Sequence, residues 1–164
     1  MPTLKTDGLD EFVQQLQALG QRTQGIAKAC VYDGAAVLKD AIVEGVNNFP
    51  VHQGGYTPGK TPLRVITEKD RDDLAACVGV SKIESDGLAT SVSVSFDGYI
   101  SRTEKKYPNG VPAAMIARSL EKGSSVRAKK PFVRPAVKKA KEAVLSAMQQ
   151  ALAERIGQTM KQEG

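Results

Sequence analysis

The chain has 164 residues, of which 41% are hydrophobic, 25% charged and only 5% aromatic, with no tryptophan and a formal net charge of +5. This composition suits one domain, 1–164, with a core of Ala, Val, Leu and Ile, and it excludes a disordered chain. No apolar run approaches about 18 residues and no charged-then-apolar leader opens the sequence, so neither a membrane span nor a secretion signal is expected.

Residues 8–20, GLDEFVQQLQALG, set Leu9, Phe12, Val13, Leu16 and Leu19 on one helical stripe, with Asp7 as cap and Gly20 as stop. This predicts an N-terminal helix within 1–23. Residues 24–48 predict a second, longer helix with a wide apolar face: Ile26, Cys30, Val37 and Ala41 beside Val31, Leu38 and Ile42. Gly34 and Gly45 weaken it, each by about 1 kcal/mol against Ala. Residues 47–63 hold three Pro and three Gly and read as a long flexible loop, a kind of segment that is commonly functional or mobile.

Strands are expected at 74–80, LAACVGV, and 90–96, TSVSVSF. In the second, Val92, Val94 and Phe96 alternate with serines, which gives one dry face and one wet face. Such a sheet is antiparallel, with helices covering one side. Asp97-Gly98 favours a tight turn, and Tyr99-Ile100 starts a return strand. Pro112 to Lys122 reads as a short helix closed by Gly123. The last helix is expected from Pro135 to about Met160, with Val137, Val144, Met148, Leu152 and Ile156 as its dry stripe and 157–164 as a tail. The fold class is therefore α+β: long N- and C-terminal helices on one face of a small antiparallel sheet.

Chemistry-bearing motifs are sparse. Residues 54–61, GGYTPGKT, match the phosphate-binding pattern at Gly54, Gly59, Lys60 and Thr61. That pattern works where a strand leads into it and a helix leaves it. Here a helix precedes it, and Pro58 removes an N–H donor the phosphates would need. The match reads as ordinary loop composition. His52 is the only histidine, and with Cys30 and Cys77 it falls short of the about four ligands of a structural zinc site. The cysteines, in apolar runs, read as buried thiols of a chain kept in a reducing cytosol. Asp72 and Asp73 are adjacent and so point apart, which makes them poor acid–base partners. Their run, EKDRDD, reads as solvated surface or the negative half of an interface. No enzyme activity, cofactor or metal is expected.

Charge is distributed unevenly. From Arg118 to Lys141 there are nine Lys or Arg and a single acid, Glu121, while Glu68 to Asp86 holds six acids and three bases. The densest stretch, RAKKPFVRPAVKKAK at 127–141, admits three readings. Its cations suit phosphates, but no aromatic platform interleaves them. They also suit the outer face of a helix, since Lys138, Lys139 and Lys141 lie off the dry stripe. Finally, Pro131 and Pro135 bracket Phe132 and Val133 into a stiff apolar knob ringed by cations, which suits docking. Cations at a helix N-terminus oppose its dipole, a cost that calls for another use of them. The interface candidates are Phe132, Arg134, Pro135, Lys129, Lys130 and Lys138; for Phe132, core packing is the alternative.

The same stretch carries a resemblance. KKPFVRPAVKKAKEAVLSAMQQALAERI resembles the C-terminal signature of the head–tail joining, or tail-completion, proteins of long-tailed bacteriophages. In that family a Pro-Phe-x-Arg-Pro-Ala motif opens the last helix, matched here by Pro131, Phe132, Arg134, Pro135 and Ala136. GIAKACVYDGAAVLKDAIVEGV is similar to the family's first main helix, TPGKTPLR to its loop, and VPAAMIARSLEKGSS to the short helix before the signature. One departure is Lys122, between Glu121 and Gly123, where the family often has an aromatic or small residue. The resemblance spans residues 24–156. It implies an α+β fold, no catalysis, and a homo-oligomeric ring, commonly a hexamer, in the virion neck between head connector and tail tube. It further implies assembly in the bacterial host cytoplasm, contacts with other phage neck or tail proteins, and non-specific contact with the DNA that passes through. A small non-enzymatic DNA-binding protein using 127–141 is the alternative.

Overall fold

The computed structural model of the protein describes residues 9–51, 65–86, 89–125 and 127–162. Asp7, His52 and the GGYTPGKT motif lie outside them. The fold is α+β. Two long helices, α1 (Leu9–Asn47) and α4 (Val133–Gln162), accompany two short ones, α2 (Glu68–Ala76) and α3 (Ala113–Lys122). Among the described residues, six short strands form three two-stranded antiparallel ladders. Among the described residues, no helix is long and apolar enough to cross a membrane.

The break expected at residues 20–24 is absent: α1 runs unbroken for 39 residues, roughly 58 Å at about 1.5 Å per residue. Gly20 does not stop it. Leu19 lies before that glycine and Ile26 after it, seven positions apart and so on one helical face. Both belong to the same cluster with Cys30 and Ala151 of α4. Packing on both sides of Gly20 outweighs its propensity cost.

Helices α1 and α4 run antiparallel. Ile26 and Cys30 meet Ala151, Gly34 approaches Met148 and Val144, and Gly45 approaches Phe132 and Ala136. The glycines set how close the axes come. A Cβ on Gly34 would fall 2.6 Å from Met148 Cγ, and one on Gly45 would lie 3.3 Å from the Phe132 carbonyl oxygen. Close helices bury small residues, and this shifts the dry stripe of α4. Its buried positions are Ala136, Ala140, Ala151 and Thr159, whereas Val137 and Leu152, expected inside, are 41% and 43% exposed. Helix α4 also starts two residues before Pro135 and continues through the expected tail as far as Gln162.

The strand regions differ from expectation in extent rather than in kind. Leu74–Ala76 belong to α2, not to a strand. A capping box at Thr67 starts that helix: the Thr67 hydroxyl accepts from the Asp70 N–H, and the Asp70 carboxylate accepts from the Thr67 N–H. Strand β1 (Val78–Val80) pairs with β4 (Val94–Phe96), and β2 (Glu84–Ser85) pairs with β3 (Thr90–Ser91). The two ladders are arms of one hairpin. Between the pairs Val80↔Val94 and Glu84↔Ser91 one arm advances four residues and the other three, which marks a bulge. The Ser81 hydroxyl fills it by accepting the Ser93 N–H at 2.9 Å. Hence the expected strand 90–96 is split. Strand β5 (Tyr99–Ile100) pairs not with β4 but with β6 (Val111–Pro112), just before α3.

The main core sits where α1 ends and α4 begins. Val46, Phe49, Ile66, Leu74, Ile100, Val111, Ile116, Leu120 and Phe132 fill it. A second cluster joins both long helices to the β1–β4 ladder through Ile42, Ala136, Val133, Val78 and Phe96.

Candidate interface site

The start of α4 is held by a carboxylate from another helix. Glu121, in the last turn of α3, accepts the backbone N–H groups of Phe132 at 2.8 Å, Val133 at 3.0 Å and Arg134 at 3.2 Å. These are N–H groups of the helix start, which an α-helix leaves without internal partners. Burial pushes the Glu121 carboxyl up, but the three N–H donors and the nearby Arg134 pull it down further, so its pKa is lowered. The electrostatic cost of cations at this terminus is thereby offset: the only acid of the basic stretch lies where the dipole wants a negative charge.

The connection is tight. Lys130 N–H donates to the Leu120 carbonyl at 2.9 Å, and the Ser124 and Arg127 backbones exchange hydrogen bonds. Gly123, with φ +79, lets the chain turn. A Cβ there would press on Lys129, with its backbone N at 3.1 Å. Glu121 was not singled out by its residue type. The signal was its isolation among nine cations, followed two residues later by glycine.

The six candidate residues separate into distinct environments. Phe132 is buried, and its ring meets Phe49 and Phe96 edge-on at centroid distances of 5.9 Å and 6.0 Å. It is a core residue, the alternative that the sequence left open, rather than an exposed knob. Arg134 is 72% exposed in its side chain, with Nε 3.7 Å from Glu121 Oε1. Pro135, Lys129 and Lys138 are exposed, and Lys130 is half-buried. Lys139 reaches across to α1, where its Nζ lies 3.2 Å from Glu44 Oε1.

Beside the clamp, the crossing of α1 and α4 leaves an open groove of about 620 Å³. Val37, Ala41, Phe49, Pro135, Ala140 and Ala143 give it apolar walls, and Lys130, Lys139, Asp40 and Glu44 also line it. Its size falls within the about 300–1,000 Å³ of natural binding clefts.

The acidic run 68–73 is solvated in part, as expected: Glu68, Lys69 and Asp72 are exposed, while Asp70 turns inward. Asp70 is 4% exposed and holds Arg102 in an ion pair, while Arg102 also donates to the Val65 carbonyl at 2.6 Å. Asp73 accepts the hydroxyl of Ser101 and, at 2.7 Å, its N–H; these bonds lower its pKa against the opposing effect of burial. These acids bind the β5 region to α2. Among the described residues, no group of three or more His, Cys, Asp or Glu is placed to hold a metal ion. Cys30 is buried. Cys77 is half-buried, and burial, followed by Asp73 and Asp97, pushes its thiol pKa up. No family model, curated protein or solved structure matches the chain.

Proposed function

We propose that the chain is a structural, non-enzymatic component of a phage or prophage virion. It joins head to tail or completes the tail, as one subunit of a ring. One observation carries this reading. The residues that bear the resemblance to head–tail joining proteins make a single physical unit: Glu121 and Gly123 close α3, Phe132 anchors in the core, and Pro131, Pro135 and Ala136 line an open groove. A tail-joining subunit needs a rigid surface offered to neighbours, and this unit supplies one.

The test is deletion of the reading frame from the phage or prophage genome that carries it, followed by electron microscopy of the lysate. Full heads and finished tails lying unjoined, or tails of wrong length, are expected. Normal infectious virions would overturn the reading. Tight DNA binding by the purified chain near 200 mM salt would then favour a DNA-binding role, because non-specific attraction to phosphates is largely lost at that ionic strength.

A further inference from the structure

The cations of this chain do not act as one stretch. Within 127–141, Lys139 pairs with Glu44, Arg134 faces Glu121, and Lys130 is half-buried at the groove. A second group collects around α3. Glu104 and Tyr107 exchange backbone hydrogen bonds at 3.1 Å and 2.8 Å, which closes a tight turn with Lys105 and Lys106 at its two corners. Lys106 lies over the Tyr107 ring, and the Tyr107 hydroxyl reaches Met115 Sδ at 3.5 Å, so the turn sits against α3. Arg118 follows Met115 by three residues and Lys122 follows Arg118 by four, which puts them on one face of the helix. Past the end of α3, the Lys129 backbone packs against Gly123. Lys105, Lys106, Arg118, Lys122 and Lys129 are all exposed, and among the described residues none of the five is in an ion pair. Acids do not offset this face. From Thr103 to Lys141 there are eleven Lys or Arg and two acids, Glu104 and Glu121. Glu121 is turned to the N–H groups of α4, and Glu104 is half-buried. Asp97 stands at the other end of α3, next to Gly98, whose carbonyl accepts the Ala113 N–H, and its carboxylate takes the Ser95 hydroxyl.

We propose that this face, made of the 104–107 turn and the outer side of α3, binds the phosphate backbone of double-stranded nucleic acid. Its make-up selects that partner among polyanions. Four of the five cations are lysines, which protein interfaces avoid and which meet phosphates as point charges. A protein interface also centres on buried apolar anchors. Along α3 the one large apolar side chain that is exposed is Met115, at 40%. Single strands are held by stacking bases on open aromatic rings. Here the Tyr107 ring is half-buried, with the Lys106 ammonium 5.6 Å from its centroid. The contacts are to phosphates rather than base edges, so they carry no sequence preference of their own. The surface differs from the one the sequence suggests: it uses Lys105 and Lys106 from outside 118–141 and leaves out Lys138 and Lys141 on α4. The inference goes beyond the joining reading and does not depend on it, since it concerns the purified chain. Normal virions after deletion would leave it standing.

The experiment titrates the full-length chain into a short labelled DNA duplex and follows fluorescence anisotropy across a salt series. Three double variants are compared with the parent: Arg118→Gln with Lys122→Gln, Lys105→Gln with Lys106→Gln, and, as control, Lys138→Gln with Lys141→Gln. All six positions are exposed, and circular dichroism checks folding. Each variant loses the same net charge, so only the place of the charge differs. With five phosphates neutralised, parent affinity should fall by on the order of 10²–10³-fold between about 50 and 200 mM salt. Either variant of the α3 face should weaken binding by about tenfold or more at the low-salt end and reduce the slope of log affinity against log salt by about 1.8. The control pair should leave both nearly unchanged. Several results would each overturn the inference. One is a parent that leaves the duplex free at low salt. Another is a control pair that loses as much as the α3 pairs, which would make net charge, or 127–141, the source of binding. A third is polyglutamate or phosphatidylserine vesicles bound as tightly as the duplex at the same salt, which would make the face a contact for acidic protein or for lipid.

Discussion

Glu121 shows how one side chain can resolve an apparent conflict in a sequence. A helix that begins among Lys129, Lys130, Arg134, Lys138 and Lys139 opposes its own dipole unless an anion faces its N-terminus. The Glu121 carboxylate does this from α3, 12% exposed and engaged by three N–H groups. Glu121→Gln keeps the shape and one acceptor oxygen but removes the charge. It should lower stability at neutral pH by about 1–2 kcal/mol, the usual worth of a helix cap. At about 2–4 °C per kcal/mol, the melting temperature should fall by roughly 2–8 °C. The pH dependence follows from the direction of the shift. The folded-state pKa lies below the ordinary value of 4.5, so the contribution is complete above that value and is lost as pH falls through the folded pKa. Melting curves of the parent and Glu121→Gln should therefore converge in acid. A constant gap from neutral pH to below the folded pKa would show that Glu121 acts through shape rather than charge.

At the scale of elements, the long helices follow from competition between propensity and packing. Gly20 and Gly34 are both glycines inside α1, yet they stand in opposite situations. A Cβ on Gly20 meets no atom within 4 Å, whereas one on Gly34 collides with Met148. Gly20→Ala should thus raise stability by about 1 kcal/mol, the propensity difference alone. Gly34→Val should lower it by about 1–3 kcal/mol through overpacking against α4. Chemical denaturation of the two variants checks the pair, and equal signs would contradict the packing described. This contrast also explains what the sequence left hidden. Helical periodicity reveals that α1 and α4 exist, and the serine–valine alternation reveals an antiparallel hairpin. Neither tells which glycine faces a partner, so the stripe of α4 was assigned to its largest apolar residues when close helices bury its alanines. Likewise nothing within EKDRDD marks Asp70 as its one buried acid, because the partner, Arg102, is 32 residues away. The candidate site was legible in its location, residues 127–141, but not in its mechanism. The carboxylate that orders it and the α1 wall of its groove are distant in sequence.

Over the whole molecule, the charge asymmetry takes on a different meaning once the contacts are known. The sequence holds an acid-rich stretch, 68–86, and a basic one, 118–141, and charges of opposite sign suit electrostatic association. Much of that charge is spent internally: Asp70 on Arg102, Asp73 on Ser101, Glu121 on the start of α4, and Glu44 on Lys139. The groove keeps apolar walls, while Lys129, Arg134, Lys138, Glu68 and Asp72 stay exposed. Apolar burial is not weakened by salt, whereas exposed charges more than about 8 Å apart are largely screened at 0.15 M. A ring contact made through the apolar walls of the groove should therefore change by less than about tenfold when salt is raised from 50 to 200 mM, with rim charges mostly affecting the encounter rate. DNA binding through the same lysines would behave otherwise. Each neutralised phosphate adds about 0.9 to the slope of log affinity against log salt, so six or more contacts would cost about 10³-fold or more over that range. Measuring both equilibria across one salt series separates the two uses of the basic surface. If self-association collapses with salt as steeply as DNA binding does, then charge, and not the groove, holds the copies together.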